Sequence, residues 1–311
     1  MGFKILHLTR PCKIKIQSAN LYLHFYDDAS EVKVTLRDLD FLLFDNTQFS
    51  ITGTTLQLLA KENIATLFID EIYHPSAILM PYHQHSTMSE VAHAQISLDV
   101  AFKGKAWQCI IISKVTNQAE VLAFMSLDGA NELIEFTKKV TLYDANQDEA
   151  QAARLYWKAL FHMKTFRREQ GSEDIINVML NYVYAIVRAC VARDVSASGM
   201  LPVFGIWHKN KYNAFALVDD LMEPFRPVCD LYVKLLLNKK YHAANNLSTN
   251  IKRDLVSILN KEYLIINGGV STVITAIGLF VQEYKKSMML QSANTLVFPK
   301  INAEKFYNEF F

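Results

Sequence analysis

The chain has 311 residues, of which 51% are hydrophobic and 20% charged, and its formal net charge is +1. That length suits one large domain or two ordinary ones, and the apolar share is high enough to bury a core, which excludes a disordered chain. Near-neutrality neither supports nor excludes nucleic-acid binding, because DNA is held by local basic patches rather than by a global excess of charge.

The four cysteines lie far apart and form no CxxC pair: Cys12, Cys109, Cys190 and Cys229. This spacing argues against a zinc knuckle and a disulfide framework, and it indicates free thiols in a reducing compartment. The N-terminal segment has charges and Pro11 where a secretory signal needs an uninterrupted apolar stretch. The apolar run GGVSTVITAIGLFV covers only about two-thirds of a bilayer span. We expect it to form a buried helix, and we expect a cytoplasmic protein.

Residues 1–88 have the pattern of a small β-rich domain. The segments KIKIQ, LYLHFY and EVKVTL alternate apolar and polar residues, which is typical of half-buried strands. The segments DLDFLLFD and ATLFIDE are compact apolar runs, which favours buried strands. Between them, TGTTLQLLAKEN has the Thr and Gly of a helix start before a short amphipathic run. The pattern therefore predicts several strands and a single helix.

Residues 89–311 are predicted to be all-helical. The segments NELIEFTKKVTLYDANQDEAQAARLYWKALFHM and SEDIINVMLNYVYAIVRACVARDVSASG keep apolar residues at helical spacing, and Gly199 followed by Pro202 ends the second. The pattern continues through DDLMEPFRPVCDLYVKLLLNKK, where Pro224 is tolerated if the helix starts near Asp219. The fold class is thus α+β, with a boundary that rests on the change of periodicity near residue 89.

One segment, residues 205–230, places a histidine before a group of acidic residues: His208, Asp219, Asp220 and Glu223. Asp220 and Glu223 are three residues apart and share a helix face, and imidazole with carboxylates suits Mn²⁺ or Mg²⁺. Carboxylates at a helix start also act as caps and complement the helix dipole. Spacing alone favours the cap, and a lone histidine is more often a loop residue than a ligand.

A second candidate is Glu149, which opens the helical segment DEAQAARLYWKALF. Taken alone, it is better interpreted as a first-turn glutamate, with Trp157 in the core. A third feature is the set of polar residues in the apolar helix that follows, which need partners if they are buried. They either satisfy one another or orient the acidic group; they are Asn177, Asn181, Arg188 and Arg193.

His83 and His85 alternate in MPYHQHS, where hydrogen bonding at the domain junction is favoured over a metal site. The sequence has no Gly-rich phosphate loop, no GxSxG elbow and no HExxH motif. Their absence argues against the P-loop, serine-hydrolase and zincin classes.

Together, and in this order, these segments resemble the CRISPR-associated "Cas-one" family, the integrase of CRISPR adaptation. The resemblance is carried by EAQAARLYWKALF, by NVMLNYVYAIVRACVARDVSASGMLP and by GIWHKNKYNAFALVDDLMEPFRP. It extends to DNTQFSITGTTLQLLAKENIATLFIDE and ILMPYHQHS, and so covers nearly the whole chain. The wording of the motifs is most similar to members from type II systems.

This resemblance implies an N-terminal β-sandwich, residues 1–88, that dimerises, and a helical catalytic domain, residues 89–311. It implies one Mg²⁺ or Mn²⁺ ion held by Glu149, His208 and Glu223, with Asp220 as a supporting acid. Relatives often carry two consecutive histidines where this chain has Trp207 and His208. His208 is taken as the ligand because it occupies the second position, which is shared with more distant members.

The implied activity is that of a metal-dependent DNA endonuclease and integrase, in which a 3′-hydroxyl of a DNA fragment attacks a phosphodiester of the repeat array. The implied partners are double-stranded DNA, a second copy of the chain, and a small "Cas-two" dimer that bridges two homodimers in a prokaryotic cytoplasm. Expected phosphate contacts, weighed against an ordinary solvated face, are Lys164, Arg167, Arg168, Lys209, Lys211 and Arg226. The alternatives are a free-standing nuclease for branched DNA in repair or recombination, and a non-catalytic scaffold.

Overall fold

A computed structural model describes residues 4–70, 75–81, 86–161, 166–169 and 171–311. The N-terminal part contains eight described strands and one α-helix. They are β1 (Lys4–Leu8), β2 (Cys12–Gln17), β3 (Asn20–Phe25), β4 (Glu31–Thr35), β5 (Leu39–Phe44), β6 (Phe49–Ile51), α1 (Gly53–Lys61), β7 (Ala65–Ile69) and β8 (Pro75–Leu79). Each predicted strand and the predicted helix are confirmed.

The strands form two four-stranded sheets, with strand orders β1-β5-β7-β8 and β4-β3-β2-β6. In the first sheet, β1, β5 and β7 are parallel and β8 is antiparallel to β7. Successive residues of β5 point to opposite faces, as the pleat requires. Leu42 and Phe44 share a core with Ile14 and Leu23 of the second sheet, whereas Phe41 packs among the helices. The first sheet therefore lies between the second sheet and the helices.

The chain from Met88 onward is mainly helical. Its α-helices are α2 (Met88–Ile96), α3 (Val100–Phe124), α4 (Ala130–Lys139), α5 (Asp148–Phe161), α6 (Ile175–Ala197), α7 (Ala216–Met222), α8 (Arg226–Lys239), α9 (Thr249–Ser257), α10 (Val273–Met289) and α11 (Ala303–Phe310). The prediction of a mixed α+β fold, with strands first and helices after, is confirmed.

The helical part is not all-α, so that detail of the prediction is wrong. Strands β9 (Leu264–Ile266), β10 (Gly269–Ser271) and β11 (Lys300–Ile301) form a small sheet in the order β10-β9-β11. Asn267 and Gly268 both have positive φ, 52° and 75°, which is the requirement of a two-residue type I′ hairpin. The Asn-Gly pair was the sequence signal for this hairpin, and the apolar run that begins at its glycine becomes helical only from Val273.

The long periodic segment before residue 163 also divides, because the chain leaves helical geometry between α4 and α5. Tyr143 and Asp144 have φ of 61° and 49°, in the left-handed region that interrupts a right-handed helix. By contrast α6 runs unbroken from its cap, where Asp174 accepts from the Asn177 backbone N–H, to Ala197, and Gly199 has φ of 80°. The predicted stop at Gly199 is confirmed.

Among the described residues, α6 is the one helix long and apolar enough to cross a bilayer, and 67% of its most apolar window is buried inside the protein. Burial against the other helices and the first sheet accounts for that apolar character. All four cysteines are free, and all are buried except Cys109, which is half-buried. The predicted free thiols are confirmed.

Candidate metal centre

Glu149 lies in the first turn of α5, but it does not cap that helix. Asp144 does so instead, because its carboxylate accepts from the backbone N–H of Asp148 at 2.8 Å and of Glu149 at 3.2 Å. The Glu149 side chain is 28% exposed and turns toward α3. The helix start is therefore satisfied without Glu149, and its carboxylate is available for other contacts.

Glu223 lies in a single 3₁₀ turn, Glu223–Phe225, that joins α7 to α8. The helix begins at Ala216 rather than near Asp219, and Pro224 falls within the 3₁₀ turn. No side chain caps α7, so the interpretation of the acidic residues as caps is wrong. The reason is that the helix starts about one turn earlier than expected, which places Asp219 at the end of its first turn, Asp220 inside it and Glu223 just after it.

Lys114 of α3 brings the two glutamates together. Its Nζ lies 2.6 Å from Oε1 of Glu149 and 2.6 Å from Oε2 of Glu223. Nε of Arg226 donates to the other oxygen of Glu223, Oε1, at 2.8 Å. Burial alone would raise the pKa of Glu223, but Arg226 and Lys114 outweigh it and hold that pKa below its usual range. Glu223 is therefore held as a carboxylate, and the Lys114 ammonium bridges it to Glu149.

His208 is fixed by Asp220, which lies fully buried on α7. The Asp220 carboxylate accepts from the backbone N–H groups of Ile206 at 2.5 Å and Trp207 at 3.0 Å. Nδ1 of His208 lies 2.5 Å from Oδ1 of Asp220, and this hydrogen bond raises the imidazole pKa. A Cβ at Gly205 would lie 2.6 Å from the His208 carbonyl oxygen, so only glycine fits there. Asp220 thus anchors the loop and orients the imidazole.

The side chains of Glu149, Glu223 and His208 offer the donors that a divalent cation needs. A histidine ligand usually donates its second ring N–H to a carboxylate, and the bond from His208 Nδ1 to Asp220 leaves Nε2 available to a metal ion. Oε2 of Glu223 is buried, and its close contact is the Lys114 ammonium at 2.6 Å, which shows that this oxygen is placed to face a cation. Two carboxylates and an imidazole are ligands that Mn²⁺ and Mg²⁺ accept. The donor chemistry fits.

The present side-chain positions limit that fit. In the described part of the chain, no three His, Cys, Asp or Glu side chains converge closely enough to hold a metal ion. The predicted ligands Glu149 and Glu223 are brought together, but it is the Lys114 ammonium that lies between them. His208 interacts electrostatically with Glu223, whose negative charge contributes to the raised pKa of the imidazole.

Asp219 of α7 has a partner of its own, Arg188 of α6. Nε and the NH2 nitrogen of Arg188 donate to the two Asp219 oxygens at 2.6 and 3.0 Å. Of the four polar residues singled out in α6, Arg188 therefore orients one of the acidic residues, Asp219. Asn177 and Asn181 instead accept from Arg168, and Arg193 pairs with Asp194.

The residues expected to contact DNA divide into two groups. Arg168 and Arg226 line a cavity of about 630 Å³ beside His208, which Arg188 and Tyr212 also line. Arg167, Lys209 and Lys211 are exposed. Lys164, together with the alternative metal candidates His83 and His85, lies outside the described residues.

Trp207, where relatives often carry a histidine, packs its side chain among aromatic rings. Its ring stacks on the buried ring of Trp107, with 5.7 Å between centroids and 13° between planes, and approaches Tyr143 at 5.9 Å. Its neighbour His208 is the side chain that bonds to Asp220. The geometry therefore favours His208 over the preceding position as the ligand.

Sequence reasoning missed Lys114 and Asp144. Lys114 follows the apolar run CIIIS within α3, and it is 8% exposed. The rule that singled out polar residues in α6 applies to it equally, because a buried ammonium needs partners. Asp144 carried no such signal, because its role depends on the positive φ of its own backbone.

Comparisons with known proteins identify the family and the fold of the chain. The family model described as "CRISPR associated protein Cas1" matches residues 6–263. A protein named CRISPR-associated endonuclease Cas1, from Neisseria meningitidis serogroup C, is 30% identical over 308 residues, which are 99% of each chain. A casposase bound to integration product has a TM-score of 0.75 at 20% identity, over 91% of this chain and 89% of that one. A Cas6-RT-Cas1–Cas2 complex has a TM-score of 0.73 at 18% identity, over 95% of this chain and 35% of that one.

Proposed function

The chain belongs to the CRISPR-associated Cas1 family, and from that membership we propose that it is a metal-dependent DNA endonuclease and integrase. It inserts short DNA fragments as new spacers into a CRISPR repeat array by transesterification. The observation that carries the proposal is the meeting of Glu149 and Glu223 at Lys114, beside a histidine oriented by Asp220. Two carboxylates and an oriented imidazole are the donors that divalent-cation chemistry on a phosphodiester requires.

In this proposal Glu149, His208 and Glu223 hold one Mn²⁺ or Mg²⁺ ion, and Asp220 supports His208. When bound, the ion neutralises the negative charge that phosphoryl transfer develops on the non-bridging oxygens. Exchange of one phosphodiester for another needs no ATP, which agrees with the missing P-loop. Because Nδ1 of His208 is bonded to Asp220, its Nε2 serves one role at a time, and where Nε2 does not hold the ion it would instead move a proton to or from the reacting oxygens.

The basic residues around the site supply the grip on DNA. Arg226 lies against Glu223 and lines the cavity beside His208, together with Arg168. Exposed Lys209 and Lys211 lie on the loop that carries His208. Contacts from these side chains to phosphates would position the strand without reading its sequence.

The proposed partners are double-stranded DNA, a second copy of the chain that pairs through residues 1–88, and a Cas2 dimer that bridges two such homodimers. One solved relative is a complex that contains Cas2, and another is a casposase bound to integration product. These names support the choice of partners.

The test is the joining of a short duplex into a supercoiled plasmid that carries the repeat array, with Mn²⁺ or Mg²⁺ present. Glu149→Ala is expected to reduce joining more than about 100-fold, because it removes a ligand. The matched control is Glu132→Ala, which removes an exposed glutamate from α4 and is expected to join normally. Full joining by Glu149→Ala would contradict the proposal. Cutting of Y-shaped DNA without joining by the wild type would favour the branched-DNA nuclease instead.

A further inference from the structure

The Lys114 ammonium contacts two carboxylates, those of Glu149 and Glu223, and neutralises charge on both. One ammonium lies 2.6 Å from an oxygen of each glutamate, and its side chain is 10% exposed. Arg226 occupies only the second oxygen of Glu223. Without Lys114, the two carboxylates would repel each other in a partly buried setting, where such repulsion is weakly screened.

The place of Lys114 conflicts with a divalent cation. An ion bound between Glu149 and Glu223 would lie close to the ammonium, and like charges at that distance repel strongly in a dry environment. As the side chains stand, no three candidate ligands converge in the described part of the chain. Binding of a metal therefore requires the ammonium to withdraw from at least one glutamate.

A cavity beside the Lys114 ammonium provides an alternative position for its charge. Lys114 lines a cavity of about 250 Å³ together with Arg168 and Arg226. Glu223 and Asp230 also line it, but three cations stand against these two carboxyl groups, and burial raises the pKa of Asp230. The excess of positive charge favours an anion in that space, and a DNA phosphate is such an anion. The flexible four-carbon stem of a lysine allows its charge to move by a few ångströms without moving the helix.

We propose that Lys114 is a positioning residue that holds Glu149 and Glu223 together in the metal-free protein and leaves them for a DNA phosphate when the divalent ion binds. This proposal rests on the metal site proposed above. Because the ammonium competes with the ion for the same oxygens, the protein binds metal weakly until DNA arrives. Metal affinity and DNA affinity are then linked, and each ligand strengthens the other by the same factor.

The test is the affinity for Mn²⁺, measured by titration calorimetry with and without a short duplex DNA, for the wild type and Lys114→Met. Methionine keeps the length of the stem and removes the charge. Without DNA, the variant is expected to bind Mn²⁺ about tenfold more tightly than the wild type, because nothing competes for the glutamates. With DNA, the wild type is expected to gain affinity and the variant to gain less. Lys158→Met, an exposed lysine on α5, is the matched control and is expected to match the wild type.

Equal or weaker Mn²⁺ binding by Lys114→Met in the absence of DNA would overturn the proposal. If that variant fails to fold, Lys114→Gln keeps hydrogen-bond donors without the charge, and the same result is expected. A manganese-bound structure of the wild type provides a test that needs no variant, since Nζ of Lys114 still bridging both glutamates would also overturn the proposal. Equal Mn²⁺ affinity of the wild type and Glu149→Gln would contradict the metal site itself.

Discussion

Two buried lysines in this fold, Lys252 and Lys114, lie in clusters that differ in how many donors surround each carboxylate. Lys252 of α9 lies 3.0 Å from Asp45, which follows β5. Asp45 also bonds to Nε2 of His7 at 2.9 Å, and the Tyr182 hydroxyl lies 3.5 Å away. One carboxylate there has several donors, and the cluster ties the first sheet to the helices.

In the second cluster one ammonium, that of Lys114, lies between the carboxylates of two glutamates. The Asp45 side chain is 1% exposed, whereas that of Glu149 is 28% exposed. A buried carboxylate with several donors is fixed. Glu149 instead shares the Lys114 ammonium with Glu223, which Arg226 also binds, so Glu149 keeps capacity for another ligand. The difference indicates that the first cluster serves stability and the second serves binding, since functional sites are commonly less than optimally stable.

The largest expected effect follows from breaking the Lys252 cluster. Asp45→Ala is expected to lower the free energy of unfolding by about 3–5 kcal/mol, because it removes the buried carboxylate that the Lys252 ammonium, the His7 imidazole and the Tyr182 hydroxyl share. Urea denaturation monitored by circular dichroism measures this change. The matched control is Glu135→Ala, which removes the exposed partner of Lys138 and should cost less than about 1 kcal/mol. Similar losses for the two variants would contradict the structural role of Asp45.

Another buried carboxyl group, that of Asp230, accepts hydrogen bonds from tyrosine hydroxyls. Tyr156 donates to it at 3.1 Å, and Tyr184 also donates. Burial raises the Asp230 pKa to about 7. Because the folded protein holds this proton more tightly than the unfolded chain, the stabilising contribution is complete below about pH 4 and is lost as the pH rises through 7.

Asp230→Asn isolates this contribution. The unfolding free energy of the wild type minus that of the variant is expected to fall by on the order of 3 kcal/mol between pH 4 and pH 8. Denaturation of both proteins across that range measures the difference. A difference that stays constant or grows with pH would show that Asp230 is ionised throughout the range.

The smallest effect on stability is expected at the proposed metal site. Glu149→Gln keeps an acceptor for Lys114 and relieves the competition between the two glutamates. The free energy of unfolding without metal is therefore expected to stay within about 0.5 kcal/mol of the wild type, as for many surface substitutions. The melting temperature in EDTA checks this prediction. A loss as large as that expected for Asp45→Ala would remove the distinction between the two clusters.

The local elements were largely predictable from the sequence, because they depend on local pattern. Period-two alternation located β2, β3 and β4, and Gly199 located the end of α6. The hairpin at Asn267 and Gly268 was missed even though its signal is local. It lies beside an apolar run whose length suggested one continuous helix.

The site was less predictable, because its contacts join distant parts of the chain. Lys114 meets Glu149 across 35 residues of sequence, and spacing gives no sign of that contact. Asp220 was singled out, but its bonds to the backbone of residues 206 and 207 depend on the path of a loop. Glu149, His208 and Glu223 were selected together by their resemblance to a family, and each alone favoured a structural interpretation.

The central claim is that Glu149, His208 and Glu223 form one metal site. A crystal structure of the protein soaked in Mn²⁺, with anomalous diffraction recorded at the manganese edge, tests it most directly. The account predicts a single strong anomalous peak coordinated by both glutamates and by Nε2 of His208. A peak elsewhere, for example at His83 and His85, with none between Glu149 and Glu223, would contradict it.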